Sequence, residues 1–244
     1  MEVAAIIPAR YGSTRLEGKP LLEIGGKPMV RWVYERALEA RTVGDVTVAT
    51  DDERIFRAVR EFGGRVVMTS PDHASGTDRV AEAAGAGGEG GGGHDVVVNL
   101  QADEPLIEPG MIDAAVNPML EDDSLVLATL KTRITDPSEI EDPNVVKVVT
   151  DSEGYALYFS RIAIPYSKEP PGEVFKHIGL YVYRRDFLMK FAALPRTPLE
   201  RSEGLEQLRA LENGFKIKVV ETPFNPVSVD TPEDLEEVRR IMAG

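Results

Sequence analysis

Ala5-Ile6-Ile7-Pro8-Ala9-Arg10-Tyr11-Gly12-Ser13-Thr14-Arg15-Leu16-Glu17-Gly18-Lys19-Pro20-Leu21 decides the fold. An apolar run from Val3 to Ile7, closed by Pro8, reads as a buried strand. A helical pattern follows from Pro28 to Ala40, with Pro28 as a first-turn residue. The loop between them therefore leaves the carboxyl end of a strand and precedes a helix, which is where open α/β sheets bind ligands. That loop carries Arg10, Arg15 and Lys19 together with Gly12, Gly18, Ser13 and Thr14. Arginine forks match polyphosphate oxygens, lysine adds a point charge, and glycine lets the backbone approach. The loop is not a P-loop. Five residues rather than four separate Gly12 from Gly18-Lys19, and Pro20 stands where a magnesium-binding hydroxyl belongs.

The chain as a whole is acidic, with a net charge of −13 over 244 residues. Such a surface disfavours nonspecific nucleic-acid binding but not a nucleotide substrate, whose site needs only local positive charge. There are no cysteines, so disulfides, thiolate nucleophiles and cysteine metal sites are excluded. No apolar run approaches the roughly 20 residues of a membrane span. The chain opens on a core strand, so the expectation is a cytoplasmic protein without a signal peptide and without membrane partners.

Strand and helix patterns alternate. Strands are expected at Val46 to Ala49, Val66 to Met68, Val96 to Leu100, Leu125 to Thr132, Val145 to Thr150 and Ile217 to Val220. Helices are expected at Glu53 to Phe62, from near Asp78, at Met111 to Leu120, Arg184 to Ala193 and Ser202 to Glu212, and from Thr231-Pro232. This order predicts an α/β fold of Rossmann-like type, a mostly parallel sheet with helices on both faces, in a single domain over residues 1–244. The aromatic- and proline-rich segment from about Tyr155 to Tyr183 reads as a smaller mixed or antiparallel excursion, suited to a subdomain or a subunit contact. Seven glycines among the nine residues from Gly85 to Gly93, with no basic residue, read as a surface turn and not as a phosphate cradle.

Asp103 follows the strand Val96 to Leu100, and Asp230 follows another extended stretch just before a helix. Both loops can reach the basic loop, and magnesium on a nucleoside triphosphate is usually held by one or two carboxylates plus phosphate oxygens. Local sequence also allows Asp103 as a turn former before Glu104-Pro105 and Asp230 as part of a helix cap. Ser75-Gly76-Thr77-Asp78-Arg79 opens a helix, where free N–H groups could read a base edge. Ser75 or Thr77 is alternatively an N-cap and Arg79 a surface residue. Asp51 and Asp52 are adequately explained as caps.

The motifs together resemble one family. Besides the opening run they are Ala49-Thr50-Asp51-Asp52-Glu53-Arg54-Ile55, Ser75-Gly76-Thr77-Asp78-Arg79, Asn99-Leu100-Gln101-Ala102-Asp103-Glu104-Pro105-Leu106-Ile107, Asp142-Pro143-Asn144-Val145-Val146-Lys147 and Tyr158-Phe159-Ser160-Arg161. The later ones are His177-Ile178-Gly179-Leu180-Tyr181-Val182-Tyr183-Arg184-Arg185, Leu205-Glu206-Gln207-Leu208-Arg209 and Val229-Asp230-Thr231-Pro232-Glu233-Asp234-Leu235. The chain resembles the cytidylyltransferases that activate 3-deoxy-manno-octulosonate (Kdo), over nearly its whole length. The resemblance implies a nucleotidyltransferase fold and transfer of CMP from CTP to the anomeric hydroxyl of Kdo, with pyrophosphate released, for lipopolysaccharide synthesis. It implies a homodimer and Mg2+ held by Asp103 and Asp230, which with Lys19 are the expected catalytic residues. Pro8, Ala9, Arg10, Gly12, Ser13, Arg15 and Lys19 are expected to bind CTP, with Ser75, Gly76, Thr77 and Arg79 at its base. Gln101, Arg161, His177, Tyr181 and Gln207 fall on positions that surround the sugar. One departure is Ala102, where the family usually has glycine; this matters if the position needs a positive φ.

Overall fold

The computed structural model describes residues 1–12, 16–86, 93–166, 168 and 172–243. Its contacts divide the chain into two compact units, Met1–Asp113 with Pro226–Gly244, and Ala114–Asn225. In the first unit β1 (Val3–Ala9) runs into a short 3-10 turn, Lys19–Leu21, and then β2 (Glu23–Ile24), β3 (Lys27–Pro28) and α1 (Met29–Glu39). Then come β4 (Asp45–Thr50), α2 (Glu53–Glu61), β5 (Val66–Met68), α3 (Gly76–Gly85), β6 (Val96–Asn99) and α4 (Pro109–Glu121), within which the chain enters the second unit. That unit holds β7 (Leu127–Arg133), α5 (Ser138–Glu141), β8 (Lys147–Thr150), β9 (Ala156–Ser160), β10 (Phe175–Arg184), α6 (Arg185–Ala192), α7 (Pro198–Glu203), α8 (Leu208–Glu212) and β11 (Lys218–Glu221). The chain returns to the first unit as α9 (Pro232–Ala243).

The first unit's sheet has the order β6-β1-β4-β5, and all its pairings are parallel. Every residue from Val3 to Ile7 is buried, as helices on both faces require of a parallel strand. From β1 the chain winds outward through β4 and β5 and then reverses to add β6 on the other side. The switch point, where such sheets bind ligands, therefore lies between β1 and β6 at their carboxyl ends. Helix α9 is drawn back toward this edge by apolar packing: Val229, Leu235 and Val238 cluster with Ile24 and Met29. Arg239 adds hydrogen bonds of 3.0 and 2.7 Å to the Glu23 carbonyl.

The second unit is mixed. β11 pairs parallel with β7, whereas β7–β10, β10–β8 and β8–β9 are antiparallel. The expected antiparallel segment, 155–183, thus forms part of a unit that extends from Ala114 to Asn225. The single helix expected at Ser202 to Glu212 is two. Gly204, at φ +64°, ends α7 in the left-handed conformation that glycine adopts without steric cost, and α8 starts afresh. Pro28 precedes α1 as its cap residue and does not enter its first turn. Most of the glycine-rich turn, residues 87–92, lies outside the described residues.

Lys147 on β8 is fully buried with no carboxylate partner among the described residues. Its ammonium instead donates to three carbonyls, those of Asp142 (2.9 Å), Val145 (2.6 Å) and Arg161 (2.6 Å). Three protons meet three acceptors, so the charge is satisfied although burial lowers its pKa. Lys147→Met keeps the stem and strands the three acceptors. It should reduce unfolding free energy by about 3 kcal/mol or more, measured by urea denaturation; an unchanged midpoint contradicts this role.

Candidate active site

A cleft of about 310 Å³ opens at the switch point. Pro8, Ala9 and Arg10 from the end of β1 line one side, and Gln101, Ala102 and Asp103 from the loop after β6 line the other. Lys19 and Pro20 from the 3-10 turn, His73 to Gly76 at the start of α3, Arg79 and Asp230 complete it. The residues expected on three distant segments therefore converge. Lys19 Nζ lies 2.5 Å from Asp103 Oδ2 and 3.2 Å from Asp230 Oδ1. The two acidic loops are tied directly, since the Val229 N–H donates to the Asp103 carbonyl at 2.8 Å.

Arg10 is exposed at the cleft wall. Gly12 is exposed and does not line the cleft; Ser13 and Arg15 lie outside the described residues. Gly18 closes the basic loop, its N–H bonded to the Tyr11 carbonyl at 2.9 Å. Its φ of +67° favours glycine, and a Cβ there would press on the Tyr11 ring at 3.0 Å. Ala102 is accommodated without strain: no described non-glycine residue has a positive φ, so this loop does not use the conformation that would demand glycine.

At α3, Ser75 Oγ accepts from the Asp78 N–H (3.1 Å) and Asp78 Oδ2 accepts from the Ser75 N–H (3.0 Å), a capping box. The hydroxyl of Ser75 is thus committed to the helix, leaving early α3 N–H groups and their positive dipole end beside the cleft. Thr77 is buried, and its Oγ1 accepts from Asn99 Nδ2 at 3.3 Å. Arg79 is 4% exposed, and its Nη2 donates to Asp51 Oδ2 at 2.7 Å while Nη1 bonds Thr69 Oγ1. The capping reading of Asp51 is therefore corrected: it neutralises Arg79. Asp52 does cap α2, accepting from the Arg54 N–H at 2.8 Å. His73, which sequence reasoning missed, lines the cleft and bonds Glu82. Its position two residues before the cap of α3 was the available signal.

Gln101 lines the cleft and donates to Asn99 Oδ1 at 3.4 Å. Arg161, His177, Tyr181 and Gln207 belong to the second unit. The Arg161 guanidinium is held by carbonyls, with Nε 2.7 Å from Glu203 O and Nη1 2.8 Å from Pro143 O. His177 sits between Phe159 and Tyr181, at ring separations of 5.0 and 5.3 Å. Gln207 is buried, and its Nε2 has no partner among the described residues.

A cytidylyltransferase family model matches residues 4–217. The 3-deoxy-manno-octulosonate cytidylyltransferase of Geotalea daltonii is 56% identical, covering 98% of this chain and 97% of the relative. The chain belongs to the 3-deoxy-manno-octulosonate cytidylyltransferase family. The Geobacter sulfurreducens protein of that name is 55% identical over 98% of both chains. A solved CMP:2-keto-3-deoxy-manno-octonic acid synthetase complexed with CTP superposes with a TM-score of 0.94 at 45% identity, covering 100% of this chain and 99% of that one. The α/β fold expected from sequence is the fold of this family. No helix among the described residues is long and apolar enough to cross a membrane.

Glu104 adjoins the carboxylate pair. It is 7% exposed, its Oε2 has no partner among the described residues, and burial, followed by the charges of Asp103 and Asp230, pushes its carboxyl up to about 8. The folded state keeps this proton between pH 4.5 and about 8 whereas the unfolded state loses it, so stability falls as pH rises through that window. Glu104→Gln should flatten the fall, by up to about 1.4 kcal/mol per pH unit. Urea unfolding from pH 5 to 8, with chelator and without substrates, checks this; identical slopes refute it.

Proposed function

We propose that this chain transfers CMP from CTP to the anomeric hydroxyl of Kdo, releasing pyrophosphate, in the cytoplasm and for lipopolysaccharide synthesis. The observation that carries the reading is the meeting of Lys19, Asp103 and Asp230 at the switch point of a cytidylyltransferase fold. The hydroxyl oxygen attacks the α-phosphorus, the bond to the β-phosphate oxygen breaks, and the hydroxyl proton is released.

Asp103 and Asp230 fit a magnesium ion. Both carboxylates already reach one cation, Lys19 Nζ, and magnesium is commonly satisfied by one or two carboxylates with phosphate oxygens completing its shell. Bound there, the ion would polarise the α-phosphate and make the attacking hydroxyl more acidic. Lys19 and Arg10 neutralise charge on the phosphates, and the early N–H groups of α3 favour an anion beside them. Arg79 works differently: with its charge matched by Asp51, it braces the wall against which the base rests. Arg161 supplies a guanidinium for the sugar carboxylate, and Gln101, His177, Tyr181 and Gln207 offer polar groups to its hydroxyls.

Pyrophosphate release should require CTP, Kdo and magnesium together, and should fall sharply when a sialic acid replaces Kdo. Asp103→Asn and Asp230→Asn should each lower turnover on the order of 100-fold or more with the fold intact by circular dichroism. Near-normal magnesium-dependent turnover in either variant rejects the metal assignment, and equal turnover of both sugars rejects the acceptor.

We also propose a homodimer joined through the second unit. Phe159 and Tyr183 are buried within that unit, whereas Leu157, Ile162 and Tyr166 are 62, 71 and 90% exposed. Apolar groups so exposed in one segment fit an interface, which should bury about 1,200–2,000 Å² or more. Light scattering should give twice the 26.7 kDa chain mass. A mass near 26.7 kDa rejects the dimer, and a dimer unaffected by Ile162→Asp and Tyr166→Asp together rejects the assigned face.

A further inference from the structure

Strand β10 pairs with β7 through a bulge between Ile178 and Tyr181. The bulge brings two carbonyl oxygens to one side chain: Thr129 Oγ1 lies 2.7 Å from Leu180 O and 3.1 Å from Ile178 O. The same oxygen lies 2.9 Å from His177 Nε2. Thr129 is fully buried, so water cannot resolve the competition among these groups.

A hydroxyl has one proton to donate, and carbonyls only accept. An oxygen–oxygen separation of 2.7 Å needs that proton between the atoms; without it, lone pairs face each other. The Thr129 proton therefore belongs to a carbonyl, and Thr129 can only accept from the imidazole. Burial lowers the His177 pKa to about 3, so the ring is neutral at working pH and carries one proton. With that proton on Nε2, Nδ1 is bare. It has no hydrogen-bond partner among the described residues, and it is not among the sealed, unpaired polar atoms.

We infer that Thr129 is a positioning residue that fixes His177 as its Nε2–H tautomer, so that Nδ1 is presented as an acceptor to a hydroxyl of the sugar acid. His177 thus reads a hydroxyl and does not bind the carboxylate, which needs a donor. The sugar-facing part of this inference rests on the function proposed above; the tautomer does not.

The chain has only three histidines, which makes the test direct. In full-length protein labelled with 15N-histidine, the His177 resonances are assigned by their loss in His177→Gln. The wild type should show a protonated Nε2 and a bare Nδ1; a protonated Nδ1 overturns the inference whatever the variants do. Thr129→Val keeps the volume and removes the acceptor. It should abolish the preference for Nε2–H and raise KM for Kdo about tenfold, with KM for CTP unchanged. Thr129→Ser should restore both tautomer and KM, which loosened packing alone would not. A wild-type tautomer and KM in Thr129→Val overturn the positioning role. If Thr129→Val fails to fold, the wild-type spectrum and Thr129→Ser still decide, since Ser must keep Nε2–H. If His177→Gln leaves KM for Kdo unchanged, the sugar-site reading of His177 fails separately from the tautomer.

Discussion

The candidate site depends on holding two carboxylates against one ammonium. Asp103 and Asp230 lie 127 positions apart in numbering, and like charges brought together would repel. Two contacts make the meeting stable. Lys19 lies between them at 2.5 and 3.2 Å, and the Val229 N–H to Asp103 carbonyl bond locks the two loops at the backbone. The apolar cluster of Val229, Leu235 and Val238 with Ile24 and Met29 supplies the force that returns the chain's last segment to the first unit. Charge convergence is thus maintained by burial some residues away from the charges.

A second consequence concerns which cations remain available. The cleft belongs to a chain of net charge −13, and not every basic residue at it is free to bind phosphate. Arg79 is tied to Asp51 at 2.7 Å and nearly sealed from solvent. Breaking that pair to bind phosphate would leave the part-buried Asp51 carboxylate without its cation. Arg10, exposed at the rim, carries no such penalty. Between these two arginines the division between bracing and binding follows from burial and pairing, not from residue type.

These distinctions also mark how far the sequence was legible. The strand Val3–Ala9, the loop after it, the cap at Ser75 and Asp78, and the helix starting at Pro232 follow from local patterns whose physics is local. Asp103 was legible as a loop residue after a strand, because sheet topology places it, whereas Asp230 follows no strand and is placed by the packing of Val229 and α9. What was hidden depends on partners far along the chain. Lys147 reads only as one residue of the expected strand Val145 to Thr150, and its burial shows once three carbonyls surround it. Asp51 reads as a cap until Arg79, 28 residues on, takes its charge. The bulge of β10, a ten-residue strand, depends on its pairing with β7 far along the chain, yet it decides where the Thr129 proton goes. The break between α7 and α8 was written in Gly204, but a lone glycine in a helical pattern is tolerated often enough to be read through.

Charge around Arg161 is handled by a different rule from charge in the cleft, although elsewhere in the second unit Arg209 meets the Glu200 carboxylate at 2.6 Å. In the cleft, cations meet carboxylates. Around Arg161 they meet carbonyls: Glu203 O and Pro143 O hold the guanidinium, and Lys147 holds the Arg161 carbonyl at 2.6 Å. The nearby Glu203 carboxylate is taken up elsewhere. It accepts from the Arg161 N–H at 2.9 Å, Ser160 Oγ at 2.8 Å and Tyr158 OH at 3.3 Å. A carbonyl orients a guanidinium without cancelling its charge, whereas a carboxylate would do both. Arg161 is thereby fixed in direction and keeps its full positive charge, with donors left over. That is the state in which a guanidinium recognises an incoming carboxylate most strongly, because no internal salt bridge must first be broken.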